Sequence, residues 1–287
     1  MHDEVTAAEI AEGAHRLGLA GVAVCVHASL RSFPKLSSGP ETLVDGLLST
    51  GATVMVATMA GEAFGVPAPP EDRPARNAID YAEVERQAAA APWRGLANIF
   101  SPTTDEVDEG LGATSACVAA RPDRIRAQRT GTFAAVGRLA AALMCAEDER
   151  DVFGPLRALR DRNGWVLLAG VDLRRMTLLH LAEIEAGRSA FIRWMRAPDG
   201  STMRIRVGEC SMGFERLAPA IAAEERRTMV GASTWRAYPA GPALELAARA
   251  IRADPGITRC GKSTCQECAD AIGGGPIEPD ADLAASM

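Results

Sequence analysis

Two short apolar runs, residues 21–27 (GVAVCVH) and 53–58 (TVMVAT), each follow a stretch with helical spacing of its apolar positions. That alternation is the strongest constraint on the fold. An uncharged, Val-rich run of this length reads as a strand buried on both faces, which needs helices to cover it. Residues 6–17 read as the first helix, with Thr6 and Glu9 at capping-box spacing. Residues 40–48 read as the second, with Pro40 in the first turn and Glu41 favourable beside it. Helix, strand, helix, strand is the order of a sheet covered by helices and joined by right-handed crossovers.

A third apolar run, residues 166–171, lies within the stretch 164–183, GWVLLAGVDLRRMTLLHLAE. It reads as another buried strand, and a helix follows from Thr177 with Leu178, Leu179 and Leu181 to pack. The polar turn between them lies beyond the carboxyl end of a strand, where open α/β sheets place ligands. His180 and Glu183 are three apart and so neighbours on that helix. An imidazole exchanges protons near neutral pH, and a carboxylate orients it or holds a cationic substrate. The pair is equally compatible with a plain helix whose histidine bonds a backbone carbonyl. The strand at 21–27 likewise delivers His27 into ASLRSFPKLSSGP, whose short side chains and exposed amides suit a phosphate or a pantetheine arm. Read without a ligand, the same residues are an ordinary polar loop.

The other segments complete an α/β pattern. Residues 59–78 read as a lid or pocket wall, and 81–90 and 112–120 as short helices. Residues 134–144 (AAVGRLAAALM) read as a clearer helix whose first amides, behind Thr130, Gly131 and Thr132, face an anion. Residues 191–196 and 202–207 alternate as an antiparallel pair around APDGS. Helices follow at 214–225 and 242–253, and 273–287 reads as a frayed end. The expected architecture is α/β: a mixed central sheet with helices on both faces, and antiparallel strands added in the C-terminal part. Residues 1–190 form the core and 191–287 an α+β part with a Cys-containing tail, packed together as one compact unit.

Composition narrows the function. With 287 residues, 47% of them hydrophobic, the chain can bury a full core. A formal charge of -6 argues against a nucleic-acid-binding surface. The four tryptophans, at 93, 165, 194 and 235, are too scattered for a base-stacking platform and read as core or pocket wall. Lys occurs only at 35 and 262, so the cations are nearly all arginines, whose planar forks suit phosphate. No apolar run has membrane-spanning length and no signal-peptide pattern opens the chain, so a soluble cytoplasmic protein is expected. Of seven cysteines, Cys25, Cys117 and Cys145 stand in small apolar surroundings and read as buried structural thiols. Cys260, Cys265 and Cys268 lie in a polar Gly-rich tail, and Cys210 follows a strand in GECSMGF. Four thiolates fit a closed tetrahedral zinc site; the alternative is a free, redox-labile cluster, with a disulfide disfavoured in a reducing compartment.

Several of these pieces together resemble the aminoglycoside 3-N-acetyltransferase family over residues 20 to 250. The family's Val-His-Ser-Ser-Leu loop after its first core strand is similar to VHASLRSF, Val26 to Phe33. A Gly-x-Gly element before a helix is matched by Gly110-Leu111-Gly112, and a Ser-Pro-Leu turn by Gly154-Pro155-Leu156. The most specific element, a Leu-Leu-Leu-Gly strand leading to Thr-x-Leu-His-x-Ala-Glu, is followed through Gly170, Thr177, Leu179, His180, Ala182 and Glu183. VGASTWRAYPAG is similar to the segment before the family's last helix. The resemblance implies transfer of an acetyl group from acetyl-CoA, as cosubstrate, to the 3-amine of a deoxystreptamine ring. It makes residues 1–190 a CoA-binding core, with His27, Ser29, Leu30, Arg31, Ser32, Arg129, Thr130, Thr132 and Phe133 holding the CoA. Glu183, with other acids, falls on the cationic sugar side.

One departure bears on the chemistry. The family carries Arg-Ser-x-His-Pro-x-x-Ser, with His as the base, where this chain reads Ile125-Arg126-Ala127-Gln128-Arg129-Thr130-Gly131-Thr132. Gln128 can hydrogen-bond an amine or a carbonyl but cannot accept its proton near neutral pH. Acetyl transfer is one outcome, with His180 or His27 as base, His180 preferred, or from an already neutral amine set against the thioester, and with Glu183 orienting the acceptor and Gln128 as polar positioner. An acyltransferase with a different acceptor and a CoA-binding interaction protein without catalysis are the others.

Overall fold

The computed structural model describes residues 4–197 and 199–277. Ten strands occur among the described residues: β1 (Ala23–Ala28), β2 (Thr53–Ala57), β3 (Gly65–Val66), β4 (Ile125–Arg126), β5 (Phe133–Val136), β6 (Trp165–Ala169), β7 (Phe191–Arg196), β8 (Thr202–Val207), β9 (Arg226–Val230) and β10 (Ser233–Pro239). Seven of them make a mixed sheet in the order β4-β5-β2-β1-β6-β10-β9, and β3-β7-β8 form a second sheet. The pairings β2-β1 and β1-β6 are parallel; the pairings β2-β5, β5-β4, β6-β10 and β10-β9, on the two sides, are antiparallel.

Alternation along the strands explains why both faces are covered. Val24, Val26, Val54, Val56, Leu167 and Ala169 face one buried cluster with Ile10, Ala14 and Leu17 of helix Ala7–Leu17 and Leu43, Val44 and Leu47 of helix Pro40–Ser49. Ala23, Cys25, Met55, Ala57, Val166 and Leu168 face the other, with Leu156 and Leu159 of helix Gly154–Asp161, Leu178 and Leu181 of helix Leu178–Glu185, and Leu244 of helix Ala240–Ala253. The expected α/β sheet is therefore present, as is the antiparallel pair β7-β8. The capping box also forms: Thr6 Oγ1 accepts from Glu9 N, and the Glu9 carboxylate accepts from Thr6 N at 2.8 Å. No helix among the described residues is long and apolar enough to cross a membrane.

Three local expectations are corrected. Residues 134–144 do not form one helix. Phe133–Val136 pairs with β2 and is fully buried, Phe133 and Ala135 facing one cluster, Ala134 and Val136 the other. Burial on both sides of a sheet overrides the helix preference of alanine, and a five-residue helix, Ala140–Met144, begins only after that strand. The segment 214–225 is three short turns, Phe214–Leu217, Ala218–Ile221 and Ala222–Glu224, and the chain then makes the hairpin β9-β10. Cys145 is exposed, although Cys25 is buried as expected and Cys117 half-buried. The frayed end proposed for 273–287 lies mostly outside the described residues.

Candidate functional site

The chain passes from β1 to β2 on one side of β1 and later to β6 on the other, so the strand order reverses between β1 and β6. Their carboxyl ends lie side by side, with His27 opposite Leu168 and Ala28 opposite Ala169. In open parallel sheets that switch point is where ligands bind. Here it joins the loop after β1, residues 29–33, to the loop after β6, residues 170–177. Gly170 (φ 69°) makes the closure possible, since a Cβ there would stand 1.9 Å from Ser32 Oγ. Ser32 Oγ donates to Ser29 O at 2.7 Å and lies 2.7 Å from Ser233 Oγ, and Ser29 N donates to Ala169 O. Ser32 is thus occupied in fixing the loop. Leu30 is half-buried, and Arg31 is exposed with no hydrogen-bond partner among the described residues. His27 is half-buried, 3.6 Å from Cys25 Sγ through Nε2. Burial, reinforced by Arg175, pushes its pKa down to about 4, so it stays neutral near pH 7.

The turn from Gln128 to Thr132 is closed around an acid that sequence reasoning did not single out. Glu147 Oε2 accepts from Arg129 N at 2.5 Å, and Oε1 accepts from Thr130 N at 2.8 Å and from the Thr130 hydroxyl. The amides of Arg129 and Thr130, just ahead of the segment expected to bind an anion through its helix start, are thus taken by a carboxylate of the protein itself, and that segment opens as a strand. Thr132 is buried with its hydroxyl against that of Thr130. The side chain of Phe133 is fully buried in the core, which leaves only its backbone near any ligand. Gln128 is exposed and donates from Nε2 to Arg126 O at 2.7 Å. No hydrogen bond joins it to His180 or Glu183 among the described residues. Arg126, also missed, is 1% exposed and ties the turn to its surroundings: Nε donates to Gly131 O at 3.0 Å, Nη1 to Thr104 O at 3.0 Å, and Nη2 to Thr58 O. Its acceptors are all carbonyls, and burial pushes its pKa down to about 10.

His180 and Glu183 do meet. His180 Nδ1 lies 3.1 Å from Glu183 Oε2, and the side chains are 12% and 15% exposed. The imidazole stacks on Phe153 at 6.4 Å and meets Phe214 edge-on at 4.8 Å. Gly208 lies against its other side, where a Cβ would stand 2.3 Å from the ring. Glu183 Oε1 accepts from Arg188 Nη1 and from Thr258 Oγ1, the latter at 3.1 Å. Both carboxylate oxygens are thus engaged within the protein. The pair lines a cavity of about 30 Å³, too small for a sugar ring. A larger cavity of about 500 Å³ shares Ile184, Arg188, Ser189 and Ala190 with it and adds Arg150, Asp151, Arg157 and Arg206. That lining is richer in arginine than in acid, against the acidic acceptor pocket the sequence reading assumed; Arg157 is neutralised by a two-pronged pair with Asp151.

The four sulfurs of Cys210, Cys260, Cys265 and Cys268 lie within 4.8 Å of one another. Ligands on a zinc tetrahedron, with bonds of about 2.3 Å, stand roughly 3.8 Å apart, so the donors need contract by at most about 1 Å. Cys260 and Cys268 are buried, Cys210 and Cys265 half-buried. The backbone beside Lys262 holds the Cys260 thiol below its usual range, while burial pushes Cys265 up to about 11.

A parallel-centred mixed sheet with helices on both faces and loops converging at its switch point defines an α/β protein of the open-sheet class. Residues 25–252 match the aminoglycoside 3-N-acetyltransferase family, and the chain belongs to that family. It is 29% identical over 188 residues to aminoglycoside N(3)-acetyltransferase VIII of Streptomyces fradiae; that segment is 63% of this chain and 62% of the relative's length. The fold matches aminoglycoside acetyltransferase AAC(3)-IVa, solved as a mutant in complex with a gentamicin, with a TM-score of 0.74 and 22% identity over 96% of this chain and 99% of that one. It also matches AAC-IIIb, solved as a binary complex with CoASH, with a TM-score of 0.70 and 21% identity over 87% and 97%.

Proposed function

We propose that the protein transfers the acetyl group of acetyl-CoA to an amine, with an aminoglycoside as the first acceptor class to test. Family membership and the relatives' aminoglycoside and CoA complexes support the class of reaction. The observation that carries the site is the bond of His180 to Glu183 behind the switch-point loop. With Nδ1–H donating to the carboxylate, Nε2 keeps its lone pair and serves as the base. The neutral amine attacks the thioester carbonyl, its proton passes to His180 Nε2, the C–S bond breaks and CoA departs as the thiol after taking up a proton. Glu183 acts as the group that orients His180, because its oxygens are occupied. Gln128, exposed at the position of the family's histidine, contacts the acceptor. His27, Ser29, Leu30, Arg31 and Ser32 provide the CoA side, with the free Arg31 guanidinium for phosphate. Arg129, Thr130, Thr132 and Phe133 contribute through the shape of their turn, because Glu147 takes the two amides. Residues 1–190 carry this CoA side, and the described part of 191–287 closes the acceptor side.

The test is release of free thiol from acetyl-CoA against a panel of amines that includes aminoglycosides. Transfer abolished in His180→Ala supports the assignment, and robust transfer in that variant rejects His180 as base. A CoA-binding protein without catalysis is the second reading, favoured by the filled turn at Glu147; acetyl-CoA binding with no turnover on any amine would support it. We also propose that Cys210, Cys260, Cys265 and Cys268 hold a structural zinc ion, since four thiolates leave no open position for substrate. Protein purified without chelator should carry about one equivalent of zinc.

A further inference from the structure

We propose that the metal held by the four cysteines is a clasp that sets the acceptor side of the active site, an inference that rests on the zinc reading above. The segment between helix Ala240–Ala253 and the short helix Gln266–Ile272 has no regular structure over residues 254–265, yet it supplies two partners to the site. Thr258 Oγ1 donates to Glu183 Oε1 at 3.1 Å and accepts from Arg188 Nη1 at 2.6 Å; Pro255 O accepts from Arg188 Nη2. An irregular segment with few apolar side chains has little packing of its own to hold those atoms in place. What anchors it is the cluster, because Cys260 stands two residues beyond Thr258.

The second strand of the clasp leads to the imidazole. Cys210 lies two residues after Gly208, which is pressed on the His180 ring. Three residues further on, a Cβ at Gly213 would stand 2.0 Å from Thr258 O, so the 208–213 loop and the 258–259 backbone are in direct contact. Cys210 and Cys268 themselves line the small cavity with His180 and Glu183. A metal joining Cys210 to Cys260, Cys265 and Cys268 therefore locks together the two loops that touch His180 and Glu183. Binding replaces four thiol protons by one divalent cation and releases those protons to solvent. Loss of the ion frees Thr258 and Pro255 from Arg188, and Glu183 then swings with its partner. A displacement of about 1 Å at such a site costs about 100-fold in rate. The CoA loop at residues 29–33 is fixed by Ser233 and Ala169 and is not part of the clasp.

The full-length protein is purified without chelator, analysed for metal, stripped, and reloaded with zinc or cobalt(II). Amide hydrogen exchange at 208–213 and 255–262, the affinity for acetyl-CoA and the acceptor kcat/KM are measured in each state. The clasp requires faster exchange in both segments on stripping and a fall of about 100-fold in acceptor kcat/KM. Acetyl-CoA affinity should change by less than about twofold, and reloading should reverse the losses; cobalt should show thiolate charge-transfer absorption. Thr258→Val, which cuts the link and leaves the thiols, should keep its metal and lose acceptor kcat/KM. Protein that binds no metal refutes the zinc reading and the clasp with it. Protein that binds metal but shows unchanged exchange after stripping refutes the clasp alone.

Discussion

Replacing Glu183 by Gln tests the proposed site at its most connected point. The substitution keeps the shape and removes the charge. Three donors converge on the carboxylate, Arg188 Nη1, Thr258 Oγ1 and His180 Nδ1. Gln presents one acceptor and one NH₂, so at least one of the three faces a donor. Arg188 is only 10% exposed and loses its counter-charge. Removing one member of a buried ion pair costs about 3–5 kcal/mol, and a bond to a charged group contributes about 1.5–3 kcal/mol. Water in the larger cavity, which Arg188 also lines, relieves part of this. A destabilisation of about 2–4 kcal/mol is expected, measured by urea unfolding. In a double-mutant cycle with Arg188→Met the coupling should exceed about 1.5 kcal/mol, because removing the cation removes most of the cost. Loss of the bond that sets the His180 tautomer should also lower kcat by about 100- to 10,000-fold. A Glu183→Gln protein within about 0.5 kcal/mol of wild type, with no coupling to Arg188, would mean that the pair behaves as a surface ion pair and that the reasoning fails.

Gln128→His returns an imidazole to the exposed turn and is expected to raise kcat for acetyl transfer at neutral pH; a lower kcat with unchanged KM would place Gln128 away from the reacting amine. Arg126→Met leaves the Thr58 carbonyl without its donor, while Gly131 O keeps the Thr58 hydroxyl and Thr104 O keeps Arg124, and should cost about 1–3 kcal/mol in chemical unfolding, against a loss under about 0.5 kcal/mol if water replaces the guanidinium. His27 carries a folded pKa near 4 against an ordinary 6.5, so the unfolded chain binds the extra proton between those values. Stability should fall as pH drops through that window, and His27→Gln should flatten that part of the unfolding profile; an unchanged profile would show that the ring is solvated.

How much was legible follows from where each contact lies along the chain. The capping box of Thr6 and Glu9, the apolar strands β1, β2 and β6, and the helical pairing of His180 with Glu183 all join residues a few positions apart, so spacing alone expresses them. The loops after β1 and β6 could be read as a candidate ligand site because strand order and crossover rules bring the ends of parallel strands together. The ordered motifs carried the family for the same reason, since each is a local segment.

The rest depended on partners far away in sequence. Residues 133–136 carry the alanines of a helix, and their fate was decided by β2 across the sheet and two apolar clusters that left no room for one. Glu147 fills the amides of Arg129 and Thr130 from 18 and 17 positions away, so the turn's open look in sequence was misleading. Glu183 was read as free for a cationic sugar, yet Thr258, 75 positions on, takes one oxygen together with Arg188. Sequence by itself determined the helix–strand alternation up to residue 58, the capped start of the first helix and the side chains of the His180 helix, because short-range spacing and burial period set these. Only the tertiary structure decided which charges are already neutralised and which thiols meet, because desolvation and pairing energies depend on distances in space that chain separation does not encode.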